Sequence, residues 1–301
     1  ARSATYAHTL VDSIRGTGNW LESNATAAEQ TGGAPDAFNS DGFDLTTWGQ
    51  VNGSGVTFVA WNWKAGGSAS SNSNGSITSS VSANAAAGFS ILTYTGTGAI
   101  AATIGHGLSS APEMIIRKDR DTAVNWVAYH ASMGTGNGNL ALFLNTTSSQ
   151  DSGQGFMNNT APTSTVFTQG DQGFVGVNGN DYISYCFHSV DGYSLVGSYI
   201  GNGSTDGVYV HCGFSPALII TKSLAATGWR TIDNKRTPYN PSKASIYPDS
   251  SDAEYTGTGH ETDFTANGFK MRNSNSRLNT NGQTYIFIAF AETPFKFSNA
   301  R

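Results

Sequence analysis

Residues 285–290 read Tyr-Ile-Phe-Ile-Ala-Phe, an unbroken apolar run rich in β-branched and aromatic side chains. Such a run is typical of a strand that is buried on both faces. Residues 182–187 read Tyr-Ile-Ser-Tyr-Cys-Phe and repeat this stretch in an earlier copy. The copies open at Gly88 and Gly192, so the period is 104 residues. Tandem modules of this kind favour a scaffold or adhesin over an enzyme.

The first copy of the repeat is incomplete. Residues 38–43 parallel residues 264–269, and residues 52–61 parallel residues 279–288. Residues 1–66 therefore match only the second half of a module. We expect the chain to be the tail end of a longer array. The half-module would complete its sheet with upstream residues, with a neighbouring subunit or by docking on the second module.

The composition predicts short strands joined by polar turns. Charged residues make up 12% of the 301 residues, aromatic residues 11%, and Gly numbers 36. No segment shows a sustained helical period. We predict an all-β fold of tandem antiparallel β-sandwich modules of about 104 residues, with a partial N-terminal module. The predicted divisions are a partial module at 1–66, a linker rich in Ser, Asn, Gly and Ala at 67–87, and sandwich modules at 88–191 and 192–301.

Charge and hydropathy exclude several classes of partner. The net charge of −5 and the isoelectric point near 5.6 give no support for nucleic-acid binding. No window approaches the ~18–20 apolar residues that cross a bilayer, so we expect no membrane insertion. No phosphate-binding motif occurs, and we expect no cofactor. The two cysteines, Cys186 and Cys212, lie in strand-like runs, and the sequence leaves open whether they pair.

One charged motif recurs in the array. Asp12 and Arg15 match Asp233 and Arg236, and the equivalent stretch of the second module, residues 129–133, has neither. A carboxylate beside a guanidinium either lines a ligand site or forms a structural ion pair at the end of a strand. We predict two structural ion pairs, because catalytic groups are rarely repeated within one array.

Acidic side chains cluster in the third module, and two chemistries fit them. Asp249, Asp252 and Glu254 offer the hard oxygen ligands that calcium prefers, although no twelve-residue calcium loop is present. Glu254, Glu261 and Asp263 are candidates for the paired carboxylates that cleave a glycosidic bond. We expect neither a metal site nor a catalytic centre, and both sets stand as alternatives.

Trp48 is the candidate for contact with a ligand. It lies in a polar loop, Thr-Thr-Trp-Gly-Gln at residues 46–50, without a counterpart in the other copies. Aromatic rings beside amide groups stack on sugars, which makes Trp48 a possible glycan contact. The alternative is a side chain that covers its own module or a neighbouring subunit.

A combination of longer stretches carries a family resemblance. These are residues 10–16, 59–66, 213–220, 233–236, 263–269 and 289–295. Together they resemble an uncharacterised repeat family of tail-fibre-like and other virion proteins of tailed bacteriophages, often marine. The resemblance covers nearly the whole chain apart from residues 67–87, and the second module departs from it by lacking the Asp and Arg. It implies a virion setting and supplies no catalytic residues.

The repeat and the resemblance favour a non-enzymatic phage virion surface protein. We expect a tail-fibre or appendage segment that displays loops for attachment to a host-surface glycan or protein. The expected partners are other virion proteins and further copies of the chain, with a homotrimer implied by the class. One alternative is a virion polysaccharide depolymerase, a glycoside hydrolase or lyase. Another is a capsid-decorating or secreted adhesin module.

Overall fold

The computed structural model describes residues 1–134, 138–152, 155–171 and 173–293, and its chain is almost entirely β-strand and loop. The helices of these residues are one turn, α1 (Gly49–Asn52), and a 3₁₀ turn at Ala85–Ala87. Pairing between the described strands is antiparallel. The predicted all-β fold is therefore confirmed. Neither helix is long and apolar enough to cross a membrane.

The strands are numbered in chain order. Module 1 (residues 1–66) contains β1 (Thr9–Leu10), β2 (Asn19–Glu22), β3 (Gln30–Thr31), β4 (Ala37–Phe38) and β5 (Phe43–Asp44). Residues 67–87 contain β6 (Ser70–Asn72) and β7 (Ser79–Asn84). Module 2 (residues 88–191) contains β8 (Phe89–Thr95), β9 (Thr103–Gly105), β10 (Met114–Asp119), β11 (Val127–His130), β12 (Leu140–Phe143), β13 (Asp151–Ser152), β14 (Val166–Thr168) and β15 (Asp181–Phe187). Module 3 (from residue 192) contains β16 (Ser194–Ile200), β17 (Tyr209–His211), β18 (Pro216–Ser223), β19 (Arg230–Asp233), β20 (Ser245–Ile246), β21 (Thr262–Thr265), β22 (Gly268–Met271) and β23 (Thr284–Ala291).

Modules 2 and 3 have the same strand order. The larger sheet of module 3 runs β16-β23-β18-β19-β20, and the equivalent strands of module 2 run β8-β15-β10-β11-β12. Each module adds a smaller sheet, β14-β9 in module 2 and β17-β22-β21 in module 3. In module 3 the two sheets enclose one core, to which the smaller sheet contributes Phe269 and the larger sheet Ile219.

The predicted linker at residues 67–87 is wrong. β6 and β7 extend the larger sheet of module 2 beyond β8, so that this sheet has eight strands. Val81 on β7 belongs to the core. The small side chains that suggested a linker instead allow neighbouring backbone to approach these strands closely. Ser79 donates to the carbonyl of Gly105 and Ser82 to that of Gly67, each at 2.7 Å.

β23 is apolar along its length because both its faces are buried. Alternate side chains face the core of module 3, and those between them face a second core shared by all three modules. The first set is Tyr285, Phe287 and Ala289, and the second is Ile286, Ile288 and Phe290. The shared core also includes Leu21 from module 1 and Ile115 from module 2. The modules are therefore joined by packing as well as by the chain.

The three modules form a closed ring. One backbone hydrogen bond is repeated at each junction, with its donor and acceptor at equivalent positions of the repeat. It runs from Glu29 N–H to Arg120 C=O (2.7 Å), from Gln150 N–H to Leu224 C=O (2.8 Å) and from Glu254 N–H to Arg2 C=O (2.8 Å). These bonds lead from module 1 to 2, from 2 to 3 and from 3 back to 1. The ring is therefore pseudo-threefold.

A second hydrogen bond, donated by a side-chain ring nitrogen at equivalent positions, also crosses each junction. Its acceptor is a carbonyl at the end of the second strand of the hairpin in the preceding module. Trp126 Nε1 donates to Glu22 (2.8 Å), Trp229 Nε1 to Phe143 (2.9 Å) and His8 Nε2 to Tyr247 (3.1 Å). Because a carbonyl only accepts, the proton of His8 lies on Nε2.

Three aromatic rings meet where the modules converge. Trp63, Phe187 and Phe290 occupy equivalent positions near the end of the last extended segment of each module. The ring centroids are 6.5 Å apart for Trp63 and Phe187, 5.5 Å for Trp63 and Phe290, and 6.0 Å for Phe187 and Phe290. All three pairs are edge-to-face, a favourable geometry for aromatic rings.

Module 1 is a half-module that docks on both of the others. Leu10 pairs with Leu21 between β1 and β2, as Thr231 pairs with Ile246 between β19 and β20. The β4–β5 hairpin likewise corresponds to β21–β22. Docking on another module was one of three routes considered for completing this half, and module 1 packs against modules 2 and 3 together.

Candidate functional site

The two predicted ion pairs are present and have the same geometry. Asp12 and Arg15 are joined at 2.6 Å between Oδ2 and Nε, and Asp233 and Arg236 at 2.6 Å between the same atoms. In both pairs the other aspartate oxygen accepts the backbone N–H groups of the arginine and of the residue before it. Each pair therefore closes a tight turn after β1 or β19.

A glutamate and a second arginine complete each pair, giving two junction clusters. The first cluster is Asp12, Arg15, Glu29 and Arg120, and the second is Asp233, Arg236, Glu254 and Arg2. The glutamate contacts are Arg15–Glu29 (2.9 Å), Arg120–Glu29 (2.6 Å), Arg236–Glu254 (2.5 Å) and Arg2–Glu254 (2.9 Å). Arg120 and Arg2 come from a different module than the glutamate they bind. The clusters are therefore electrostatic contacts across junctions.

The electrostatics of the two glutamates follow from this geometry. Burial acts to raise the pKa of Glu29, but the hydrogen bonds from Arg120 and Arg15 outweigh it and lower that pKa. The pKa of Glu254 is lowered in the same way, because the hydrogen bonds from Arg2 and Arg236 outweigh its burial. Both glutamates are therefore held as carboxylates.

The module that supplies the second arginine of each cluster also covers its aspartate. The Tyr185 hydroxyl donates to Asp12 at 2.8 Å, and Trp61 Nε1 donates to Asp233 at 3.2 Å. The Trp61 ring also lies 5.3 Å from the Arg236 guanidinium. Module 2 has His130 at the equivalent place, and its ring donates to the Phe287 carbonyl at 3.2 Å. Protein donors thus occupy these carboxylates, and the clusters hold the ring together.

The alternative set of calcium ligands does not form one cluster. Asp249 accepts the backbone N–H of Trp229 at 2.8 Å, a contact that the other modules repeat. The equivalents are Asn24 with His8 and Asn145 with Trp126, both at 2.9 Å. Glu254 belongs to the second junction cluster. Asp252 belongs neither to that cluster nor to the repeated contact made by Asp249. No three His, Cys, Asp or Glu side chains of the described residues could hold a metal ion together.

The three candidate catalytic carboxylates have separate partners. A general acid for glycoside cleavage needs a raised pKa, whereas the pKa of Glu254 is lowered, so Glu254 does not suit that role. Glu261 accepts the Gly259 N–H at 2.8 Å, and Asp263 lies 3.4 Å from Arg272. Each of the three therefore has a structural contact of its own.

Trp48 covers its own module. Its ring centroid lies 4.5 Å from that of Trp20, and a side chain at Gly33 would meet the ring at 2.7 Å. One face of the indole is thus closed against module 1. This corresponds to the alternative that the sequence left open, and it makes Trp48 a poor platform for a sugar.

The two cysteines are free and buried. Burial raises the pKa of both Cys186 and Cys212 to about 12. They are inert thiols in the cores of modules 2 and 3.

A surface cavity in module 3 is a further candidate site. Its volume is about 350 Å³, within the range of small-molecule sites. It is lined by Ser215, Asn234, Lys235, Thr237, Pro238, Tyr239, Asn240, Phe264 and Glu292. Tyr239 is 82% exposed, the highest value among the large hydrophobic side chains of the described residues. This loop was not predicted from the repeat, although it makes Asp233 and Asp249 four residues further apart than Asp12 and Asn24.

The loop that carries Tyr239 is held firmly in place. The Asn240 side chain donates to the Phe264 carbonyl at 2.6 Å and accepts the Phe264 N–H at 2.9 Å. Across the cavity Lys235 pairs with Glu292 at 2.9 Å in solvent. The hydroxyls of Ser215 and Thr237 have no hydrogen-bond partner among the described residues. The cavity thus combines an exposed aromatic ring with polar groups that are available to a ligand.

Comparison with known proteins gives one match. A family model described as a domain of unknown function (DUF7483) matches residues 1–294. No curated protein and no solved structure matches the chain. This single match spans all three modules.

Proposed function

The chain belongs to the family of the domain of unknown function DUF7483, and we propose that it is a non-enzymatic surface protein of a tailed-phage virion. In this proposal it is a tail-fibre or appendage segment that attaches to a host-surface glycan through the module 3 cavity. The setting rests on the resemblance of its repeated stretches to phage virion proteins. Other virion proteins and further copies of the chain are the proposed partners.

The observation that carries the attachment role is the exposure of Tyr239. A tyrosine ring that is 82% exposed contributes little to the core, and its apolar face and hydroxyl are both available to a ligand. Tyrosine rings stack on the apolar face of a sugar, and the neighbouring hydroxyls, Lys235 and Glu292 can hydrogen-bond sugar hydroxyls. The two hydrogen bonds of Asn240 fix the loop beforehand, which reduces the entropy lost on binding.

The test is binding to an array of bacterial surface polysaccharides. We expect the protein to bind at least one of them and Tyr239→Ala to weaken that binding about tenfold or more. Tyr209→Ala is the matched control, because Tyr209 is an exposed tyrosine on β17 outside the cavity. Equal loss in both variants, or no binding by the unaltered protein, would overturn the proposed attachment site.

Two further measurements separate the alternatives. Release of new reducing ends or unsaturated sugars from a bound polysaccharide would favour the depolymerase and contradict the non-enzymatic role. Immunogold labelling of virions tests the location. Gold on the tail supports the proposal, gold on the capsid favours a decorating protein, and unlabelled virions favour a secreted adhesin.

A further inference from the structure

Module 2 buries an arginine whose guanidinium is only partly hydrogen-bonded. Arg117 lies on β10 and is 1% exposed. Its Nη2 donates to the Phe156 carbonyl at 2.8 Å, whereas Nε and Nη1 have no partner among the described residues. Because a guanidinium stays protonated in proteins, a full positive charge lies in this core. A buried charge with unused donors is costly, so it calls for an acceptor.

No carboxylate contacts this charge. Asp119 lies two residues further along β10 and on the same face of the strand. Its carboxylate accepts the N–H groups of Asp121 and Thr122 at 2.9 Å and the Asn180 side chain at 2.8 Å. Among the described residues, no ion pair includes Arg117. The guanidinium therefore lacks a counter-charge in contact with it.

Two buried hydroxyls beside Arg117 are also unpartnered. Ser184 is paired directly with Arg117 between β15 and β10, and Tyr94 lies on β8, the next strand of the sheet. Neither hydroxyl has a hydrogen-bond partner within the described part of the chain. Burial raises the pKa of the Tyr94 phenol, and the neighbouring Arg117 guanidinium opposes that rise, which places the phenol oxygen near the guanidinium.

An aromatic ring of the smaller sheet covers these groups. Phe167 lies on β14 and is fully buried. Its ring centroid is 5.5 Å from Arg117 Cζ and 6.2 Å from the centroid of the Tyr94 ring. The unused donors of Arg117, Tyr94 and Ser184 are therefore enclosed between the two sheets of module 2.

Module 3 has the same positions and satisfies the polar groups there. The equivalents of Tyr94, Arg117 and Ser184 are Tyr199, Thr221 and Phe287. Tyr199 donates to the Leu278 carbonyl at 2.8 Å, and Thr221 donates to the Ile286 carbonyl at 2.9 Å. Phe287 adds an apolar ring. The polar groups of module 2 are thus not required by the fold, since the same fold is built without them.

Module 3 also shows how a buried arginine is satisfied. Arg230 lies on β19 and is fully buried. Its three nitrogens donate to the Ser245 hydroxyl, the Thr262 hydroxyl and the His260 carbonyl. Arg117 has one such acceptor among the described residues, and its other two nitrogens are available to a ligand.

We propose that Arg117 binds one chloride ion in the interior of module 2, with the Tyr94 and Ser184 hydroxyls as further donors. One unbalanced positive charge matches one negative charge. The three residues lie on adjacent strands, whose usual spacing is about 4.8 Å, so their donors converge on a small ion. Hydrogen bonds from a guanidinium to an anion are stronger than those between neutral groups. This site is separate from the module 3 cavity, and the inference does not rest on the proposed attachment.

The first test is urea denaturation in mixtures of sodium chloride and sodium methanesulfonate at constant ionic strength. A ligand that binds only the folded chain stabilises it in proportion to the logarithm of its concentration above the dissociation constant. We expect the urea midpoint to rise as chloride replaces the larger methanesulfonate, and sodium bromide to act as chloride does. A midpoint that is the same in all mixtures would overturn the proposal.

Two tyrosine variants provide a matched pair. Tyr94→Phe removes a hydroxyl that has no partner among the described residues, so stability in methanesulfonate alone should be unchanged. We expect its chloride dissociation constant to rise about fivefold. Tyr199→Phe removes a hydroxyl that donates to Leu278. It should lower the midpoint by the same amount at every chloride concentration, and equal chloride responses in the two variants would contradict the assigned donor.

Arg117→Met removes the charge and keeps much of the side-chain length. We expect the response to chloride to disappear. In methanesulfonate alone the midpoint should equal or exceed that of the unaltered chain, because an unpaired buried charge has been removed. A chloride response that survives in Arg117→Met would place the anion elsewhere.

Crystals grown in sodium bromide locate the ion directly. Bromide gives an anomalous signal, and water does not. We expect an anomalous peak within hydrogen-bond distance of Arg117 Nε and Nη1. A water molecule without anomalous signal at that position would overturn the proposal and assign the donors to hydration. These results are independent of glycan binding, so the two proposals fail separately.

Discussion

Arg236 binds two buried carboxylates, those of Asp233 and Glu254, and its own side chain is 4% exposed. Replacement by methionine keeps much of the volume but leaves both carboxylates without this guanidinium. Removing one partner of a buried ion pair typically costs 3–5 kcal/mol. We expect Arg236→Met to lower the free energy of unfolding by about 3 kcal/mol or more, measured by urea denaturation.

The neighbouring residue is the control for that prediction. Lys235 pairs with Glu292 at the surface, where the two side chains are 74% and 39% exposed. Exposed pairs contribute about 1 kcal/mol or less. Lys235→Met should therefore have little effect, and similar losses in both variants would show that the junction cluster does not stabilise the ring.

Two histidines at the junctions should make the ring sensitive to acid. Burial lowers the pKa of His8 and of His130 to about 4, from an ordinary value of 6.5. Between pH 6.5 and 4 the unfolded chain therefore binds more protons than the folded chain. The folding stability that depends on the two neutral histidines is fully present above pH 6.5 and falls as the pH drops. At 1.36 kcal/mol per pKa unit, each histidine accounts for roughly 3 kcal/mol of the free energy of unfolding that is lost in this pH range.

Urea denaturation at a series of pH values measures this effect. His130→Gln keeps a side-chain donor for the Phe287 carbonyl but removes the titration, so we expect a shallower fall in stability between pH 6.5 and 4. His211→Gln alters an exposed histidine on β17 and should leave the slope unchanged. A slope that is the same in all three proteins would contradict the assignment.

At the scale of the element, the sequence predicted strands where apolar residues form long runs. The apolar stretch of β23 and its counterpart in β15 identified the centres of two sheets. β6 and β7 could not be identified in this way, because Ser and Ala have little strand preference. Ser79 and Ser82 are strand residues only because β8 and their carbonyl acceptors lie beside them. Tertiary context overrides local preference there.

Trp63 links the last extended segment of module 1 to the strands of the other modules. Its ring contacts Phe187 and Phe290, and truncation leaves a cavity between three modules. We expect Trp63→Ala to cost about 2–4 kcal/mol, below the usual loss for a fully buried tryptophan because Trp63 is only half-buried. Urea denaturation and limited proteolysis should both detect the loosened segment.

The adjacent position supplies the comparison. Asn62 is exposed and makes no side-chain hydrogen bond with a described residue, so Asn62→Ala should change stability by no more than about 0.5 kcal/mol. A loss for Asn62→Ala that matches the loss for Trp63→Ala would mean that the backbone path, and not the aromatic contact, stabilises this segment.

At the scale of the whole molecule, the repeat predicted the modules but not their closure into a ring. The contacts that close it use different side chains at equivalent positions, such as His8 against Trp126 and Trp229. Identity-based matching cannot align such positions. The candidate cavity was missed for a related reason, since the Tyr239 loop is absent from module 1 and a repeat pattern highlights only what recurs.

The shared core makes a prediction about cooperativity. Leu21, Ile115 and Phe290 come from three different modules and belong to one core, so no module can unfold without exposing the others. We expect calorimetry to show a single transition with equal calorimetric and van't Hoff enthalpies. A chain lacking residues 1–66 should melt at a lower temperature, because it loses Trp63 from the rings of Phe187 and Phe290. Two or three resolved transitions would instead describe independent modules on a string, and would contradict the closed ring.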